Sequence, residues 1–247
     1  MSMSETEIAA RLRDNLARVR ERMAAAARGG YQTGRQKSPR LVAVTKNVEP
    51  HVVRLFVETC FEEGEYAELA ESRPQELWRK AEALRDLKIA WHLIGHLQRN
   101  KVRRTLPLVS CIDSADSLRL MEEISHEAVA QQLIADVLLE VNVSGDAAKQ
   151  GLRPDEVLPL LPQLAKLPRF FVLGLMTMAS LEGGQNRARK DFVALRELSD
   201  RIALNFPPNI AMIDLSMGMS DDFEVAIEEG ATIIRVGSAL FEGIESS

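Results

Sequence analysis

The chain has 247 residues, 46% of them hydrophobic, which is enough for one sizeable core. Its formal net charge of −5 gives no support to binding of nucleic acid or of an anionic membrane surface. Two cysteines, Cys60 and Cys111, are too few for a disulfide framework and too far apart in sequence for a metal knuckle, so buried thiols in a reducing compartment are expected.

The first residues, MSMSETEIAARLRDN, are polar and do not read as a signal peptide. No apolar run approaches the roughly 18 residues of a membrane span, and a soluble cytoplasmic protein is expected. Residues 5–28 carry Ile8, Leu12, Leu16, Val19 and Met23 at spacings of three and four, which predicts an amphipathic helix ended by Gly29 and Gly30. Eight short apolar or β-branched runs follow: 41–45, 65–69, 90–94, 109–113, 135–143, 170–175, 211–215 and 232–236. Stretches of helical spacing separate them, such as Val52, Val53, Phe56 and Val57, or Phe192, Leu195, Leu198 and Ile202. Eight strands each followed by a helical segment make the count of a (β/α)8 TIM-type barrel, in a single domain over 1–247 with the helix at 5–28 as an addition and the barrel at about 40–244. A doubly wound open sheet competes, because the run EYAEL at 65–69 is weak. The polar, aperiodic stretch ASLEGGQNRAR at 179–189 reads as a mobile loop.

A barrel carries its functional residues at the C-terminal ends of its strands. LVAVTK delivers Lys46 there from the first strand. Strands seven and eight run into SMGMSDD and RVGSALFEG, whose small residues and hydroxyls suit a phosphate, with a helix starting near Ser238 to point its positive end at the anion. A lysine and a phosphate pocket on one face suggest a phosphate-bearing aldehyde held as a Schiff base. A Schiff-base aldolase, or a lysine that only clamps phosphate, would use the same residues. Arg235, two residues before Gly237, bears on the choice: if it faces the nitrogen of a pyridoxal ring, that nitrogen is best left unprotonated and the ring is a poor electron sink. The basic run Arg99, Lys101, Arg103 and Arg104 reads as a solvated helix face in preference to an RNA-binding surface.

These residues, in this order, resemble the pyridoxal phosphate homeostasis proteins, the YggS-type family of barrels similar to the N-terminal domain of alanine racemase. The motifs are LVAVTK, ESRPQEL at 71–77, WHLIGHLQRNK at 91–101, VNVSGDAAKQGL at 141–152, GLMTM at 174–178, LSMGMSDDFEVAI at 215–227 and IRVGSALFEG at 234–243. The resemblance spans roughly residues 5–244. It implies pyridoxal 5′-phosphate bound covalently as an aldimine on Lys46, its phosphate on Ser216, Gly237 and Ser238, and Arg235 facing the pyridine nitrogen. It also implies that His92, Met176 and Ser72 line the pocket and that Lys149 takes part in moving the cofactor between sites. Ala70, Ser72 and the NVEP after Lys46 depart from the family pattern and bear on contacts at the ring. The chain stops soon after the eighth strand, and its tyrosines are Tyr31 and Tyr66. The second acid/base of a two-base racemase is therefore expected to be missing. The expectation is a monomeric, non-catalytic carrier in vitamin B6 homeostasis that could deliver the cofactor to dependent apoenzymes, with no metal, no nucleic acid and no membrane. A minimal racemase is the alternative.

Overall fold

The computed structural model describes residues 3–30, 39–64, 66–146, 148–180, 183–204 and 207–244. Its first element is α1 (Glu5–Gly29), which opens with a capping box: Ser4 Oγ accepts from the Glu7 amide while the Glu7 carboxylate accepts from the Ser4 amide. Eight parallel strands then alternate with helices: β1 (Arg40–Val44), α2 (Pro50–Glu62), β2 (Ala67–Glu71), α3 (Pro74–Ala83), β3 (Ile89–Leu93), α4 (Arg99–Thr105), β4 (Cys111–Ala115), α5 (Leu118–Ala130), β5 (Ala135–Glu140), α6 (Pro154–Leu164), β6 (Phe170–Met176), α7 (Gly184–Ala203), β7 (Ile210–Ser216), α8 (Phe223–Glu228) and β8 (Ile233–Val236). The strands pair in sequence order, and β8 pairs back to β1 with Val42 opposite Arg235, so the barrel is closed. Closure disposes of the open doubly wound alternative. Among the described residues, no helix is long and apolar enough to cross a membrane.

Strand alternation sorts the side chains into two layers. Outward residues such as Ala43, Leu69, Leu93, Ile112, Leu139, Leu175, Leu215 and Ile234 pack under the helices in the main core. The barrel lumen holds a smaller apolar cluster: Val42, Val44, Ala70, Cys111, Leu138, Met176 and Ile233. Branched apolar residues usually fill such a lumen. Here His92, Asp113, Ser216 and Arg235 are also buried in it.

The seventh helix-bearing connection is the last. A helix near Ser238 is expected from the sequence, but the chain after β8 makes a single tight turn in which Gly237 O accepts from the Leu240 and Phe241 amides. Gly243 adopts a left-handed φ of 73° two residues later, which leaves too few residues to nucleate a helix. α1 takes the vacant place, packed between α8 and α2. Its fully buried Asn15 donates through Nδ2 to Leu240 O at 2.9 Å and Glu242 O at 3.0 Å, and so ties the turn down. The N-terminal helix is thus the missing eighth cover of the barrel and not an ornament.

Other boundaries shift for physical reasons. β2 runs two residues later than the apolar pattern suggests, because Glu68 and Glu71 are paired, with Arg40 and Lys80, and can sit in the strand. Tyr66 stands just before that strand. β4 likewise extends through Asp113 and Ser114, both buried and hydrogen-bonded. Residues 184–189, expected in a loop, form the first turns of α7, where Ala188 is buried and Arg187 pairs with Asp191 one turn on. Tyr31 lies outside the described residues.

Candidate functional site

Lys46 is exposed at the C-terminal end of β1, and its height is set by what lies beneath it. Thr45 is fully buried; its Oγ1 donates to Glu71 Oε1 at 2.8 Å, and its carbonyl accepts from Lys80 Nζ at 2.6 Å. Lys80 and Glu71, each almost wholly buried, also pair directly. The chain then turns at Asn47, a non-glycine residue with a left-handed φ of 63°, and the Val48 amide closes the turn on Thr45 O at 3.0 Å. Asparagine tolerates that backbone, so the turn can aim Lys46 without a glycine.

Lys46 shares a cavity of about 220 Å³ with Val44, Glu49, Gly237, Ser238 and Phe241. The turn after β8 supplies its polar wall. The Gly237 and Ala239 amides both point at Ser220 Oγ, at 3.3 and 3.4 Å, so two backbone donors converge where an anionic oxygen could also be received. Gly237 has to be small: a Cβ there would lie 3.1 Å from Val44 O. Gly218, with φ 93°, folds the β7 loop back so that its carbonyl accepts from the Arg235 amide at 3.0 Å.

Arg235 is buried inside the barrel below this loop. Its guanidinium donates to Ser216 Oγ at 2.7 Å and to Thr177 O at 2.8 Å. Burial depresses its pKa, opposed by Asp113, Asp222 and Glu140. Glu140, buried on the inner side of β5, is pushed up to about 7, first by burial and then by Asp116, with Arg235 pulling the other way.

The structure therefore brings Lys46, Gly237 and Ser238 together, with Arg235 buried beneath the adjoining β7 and β8 loops, and distributes the other sequence candidates elsewhere. Ser216 does not line the Lys46 cavity; its hydroxyl is spent inside the barrel between Arg235 and Asp113, and Ser220 is the serine that meets the loop amides. Met176 is fully buried in the lumen cluster. Ser72 is half-buried at the end of β2, with its backbone tight against Gly95. Lys149 bridges two loops by donating to Met178 O at 3.2 Å and Ala179 O at 2.7 Å. His92 lies deep in the lumen and lines a different cavity, of about 240 Å³, beside residues that begin strands: Arg40, Ala90, Cys111 and Asp136. That is the N-terminal mouth, opposite Lys46. The ligand atoms of His92, Cys111 and Asp113 lie within 4.8 Å of one another, but both imidazole nitrogens already face carboxylates, and hydrogen bonding accounts for the group.

A family model described as the alanine racemase N-terminal domain matches residues 9–244. The chain is 41% identical over 229 residues to the pyridoxal phosphate homeostasis protein of Aquifex aeolicus, covering 92% of this chain and 96% of that one. The chain belongs to the pyridoxal phosphate homeostasis protein family. Another member, from Pseudomonas aeruginosa, is 35% identical over 228 residues, covering 91% of this chain and 90% of that one. Among solved structures, PipY of Synechococcus elongatus with pyridoxal phosphate bound superposes with a TM-score of 0.79 at 31% identity, over 93% of this chain and 99% of that one. Alanine racemase of Clostridium difficile shares the fold, with a TM-score of 0.69 at 14% identity over 93% of this chain and 56% of the enzyme.

The homeostasis-family motifs announce Lys46 and the β8 loop because each is local in sequence. They do not announce Ser220, Lys80, Asp113 or Glu140. Ser220 lies within LSMGMSDDF but is only one of two serines there. Asp113 and Glu140 gain their roles from strands that the closed barrel makes neighbours, and Lys80 from the packing of α3 over β1 and β2.

Proposed function

We propose that this protein binds pyridoxal 5′-phosphate at the C-terminal mouth of its barrel and serves cytoplasmic vitamin B6 homeostasis by holding and delivering the cofactor, as a monomer and without efficient catalysis of its own. The observation that carries the reading is the single cavity shared by Lys46, Gly237 and Ser238. The residues fit the group. A primary amine stands at the end of a rigid strand, and the β8 turn beside it carries two backbone amides, of Gly237 and Ala239, which meet Ser220 Oγ and are the donors a phosphate oxygen would take over. Lys46 supplies the amine that condenses with the aldehyde, and the β8 turn takes the phosphate. When bound, the cofactor contributes an aldehyde for amines and a pyridine ring able to withdraw electrons.

Arg235 supports a holding role. A guanidinium presented to the pyridine nitrogen disfavours protonation there and weakens electron withdrawal. Tyr66 supports it too: among the described tyrosines it is the one present, 60% exposed at the N-terminal mouth and on the wrong side to exchange protons above Lys46. The recipients of the cofactor would be dependent apoenzymes, with Lys149 beside the exit loops as a candidate relay.

Purified protein titrated with pyridoxal phosphate should turn yellow, and borohydride should fix one cofactor on the Lys46 peptide in mass spectrometry. A protein that stays colourless, or that traps the label elsewhere, sinks the reading. Incubation with alanine in deuterated solvent separates the racemase alternative: a holder leaves Cα unexchanged, and exchange that Lys46→Ala abolishes would favour an enzyme.

A further inference from the structure

A continuous line of polar contacts crosses the barrel lumen from one mouth to the other. At the N-terminal mouth Arg40 pairs with Glu68 at 3.1 Å and with Asp214 at 2.8 Å. Glu68 faces His92 Nε2 at 3.4 Å. His92 Nδ1 meets Asp113 Oδ1 at 2.8 Å, and the other carboxylate oxygen, Oδ2, accepts from Ser216 Oγ at 3.3 Å. Ser216 Oγ in turn accepts from Arg235 at 2.7 Å. The members come from β1, β2, β3, β4, β7 and β8, and His92, Asp113, Ser216 and Arg235 are each at most 3% exposed.

The polarity of the chain follows from its donors. A guanidinium only donates, so the lone pair of Ser216 Oγ is directed at Arg235 and its proton at Asp113. Asp113 then accepts through Oδ2, and the basic group closest to its other oxygen is the His92 imidazole at 2.8 Å. Burial would depress the His92 pKa, but Asp113 and Glu68 outweigh it and raise it to about 9. The Asp113 carboxyl, which burial would raise, is held low by His92 and Arg235. An isolated buried guanidinium would be costly, and this line is what offsets Arg235 from below. Two of its donors are committed to Ser216 and Thr177, which fixes the plane of the group and leaves the rest free for a ligand.

We propose that His92 and Asp113 are positioning residues which, through Ser216, fix the guanidinium of Arg235 in the cofactor site and couple that site to the opposite mouth of the barrel. His92 therefore acts on the ligand from below and does not line its pocket. The proposal rests on the cofactor reading above. The titratable and charged groups facing His92 are Glu68 and Asp113 directly, with Arg40, Asp136, Asp214, Cys111 and Tyr66 around the same cavity. The pair nearest the imidazole carries the effect; Arg40 balances Glu68 and Asp214. On the cofactor side the carboxylates facing Arg235 are Asp113, Asp222 and Glu140, so loss of Asp113 leaves the guanidinium to swing toward the other two.

The test uses the full chain in four forms: wild type, His92→Gln, Ser216→Ala and Ser216→Thr, each checked for a native circular dichroism spectrum. Pyridoxal phosphate affinity and the visible absorption of the loaded protein are followed from pH 5 to 10. His92→Gln and Ser216→Ala should weaken binding roughly 3- to 30-fold and move the midpoint of the spectral titration by about half a pH unit or more, while borohydride still traps the cofactor on Lys46. Ser216→Thr, which keeps the hydroxyl, should restore both. Spectra and affinities that superpose on wild type for His92→Gln and Ser216→Ala overturn the proposal, as does a loss that Ser216→Thr shares in full. A ligand-free arm separates this failure from failure of the cofactor reading. The His92 imidazole is titrated by NMR in wild type and in Arg235→Lys, and its midpoint should move when the guanidinium is replaced. An unmoved midpoint overturns the coupling whether or not the protein binds the cofactor; a wild type that never colours overturns the cofactor reading alone.

Discussion

Lys80 is among the largest fully buried side chains of the described residues, and it ends in an ammonium group. Its ammonium reaches Glu71 and the carbonyl of Thr45, the residue before Lys46. An ion pair this deep adds little net stability against a well-packed apolar replacement, because desolvation cancels much of the attraction. Breaking it from one side is different, since the surviving charge is left without a partner. Lys80→Met should therefore cost about 3–5 kcal/mol in urea denaturation. The double variant Lys80→Met/Glu71→Gln should recover much of that loss while leaving the Thr45 carbonyl without its buried donor. If the single variant is as stable as wild type, the pair is not holding the end of β1. The retained use of such a pair is geometric: it fixes the point from which Lys46 leaves the strand.

The elements show where sequence pattern succeeds and where it stops. β1, β3, β6, β7 and β8 sit within a residue or so of their apolar runs, because the outer side that each packs under the helices is apolar, with Ala43, Trp91, Leu93, Leu175, Leu215 and Ile234 in the main core. β2 and β4 were offset, since Glu71 and Ser114, which lie beyond the apolar runs, look like strand breakers until their partners Lys80 and Gly95 O are in place. Lys46, Gly237 and Ser238 could be read locally; the Ser216–Asp113 contact spans 103 residues and could not. The replacement of the eighth helix by α1 belongs to the same class. Periodicity shows that α1 has an apolar face but not what it covers. That packing gives a test at the scale of an element. Asn15→Ala removes one buried and one part-buried hydrogen bond to the β8 turn and takes away the buried donor of the Leu240 carbonyl, which should cost about 1–3 kcal/mol. In hydrogen exchange, amides in 237–242 should lose protection well before the barrel strands do, and pyridoxal phosphate affinity should fall with them. Uniform protection across the turn would mean that Phe241, tilted against Phe56 with ring centroids 5.5 Å apart, holds it without α1.

At the scale of the whole molecule, a lumen lined with ionisable groups makes stability a function of pH, and the signs can be worked out. Glu68 and Asp113 are held below their ordinary values, so the stability they contribute is present above the unfolded carboxylate pKa and is lost as pH falls through their depressed values. His92 is raised to about 9; its contribution is complete below the unfolded value near 6.5 and is lost as pH climbs through 9. Glu140 is raised to about 7, so the unfolded chain gives up this proton first and stability falls between about pH 4.5 and 7. Glu140 thus erodes the fold between acid and neutral pH and His92 on the alkaline side, while the depressed carboxylates protect it except in strong acid. Glu140 can be isolated from this sum, because replacing it with glutamine removes one titration without unpairing the Asp113–His92 line. Between pH 5 and 8 the wild type should lose on the order of 2–3 kcal/mol that Glu140→Gln does not lose, with the variant the more stable at pH 8. Above pH 8 the two should decline in parallel as His92 deprotonates. Denaturant titrations at pH 5, 8 and 9.5 decide the matter: a variant that tracks wild type from pH 5 to 8 would show that Glu140 stays ionised throughout, paired with Arg235 in solution. The guanidinium would then carry its own counter-charge at the cofactor mouth and would have less need of Asp113 from below.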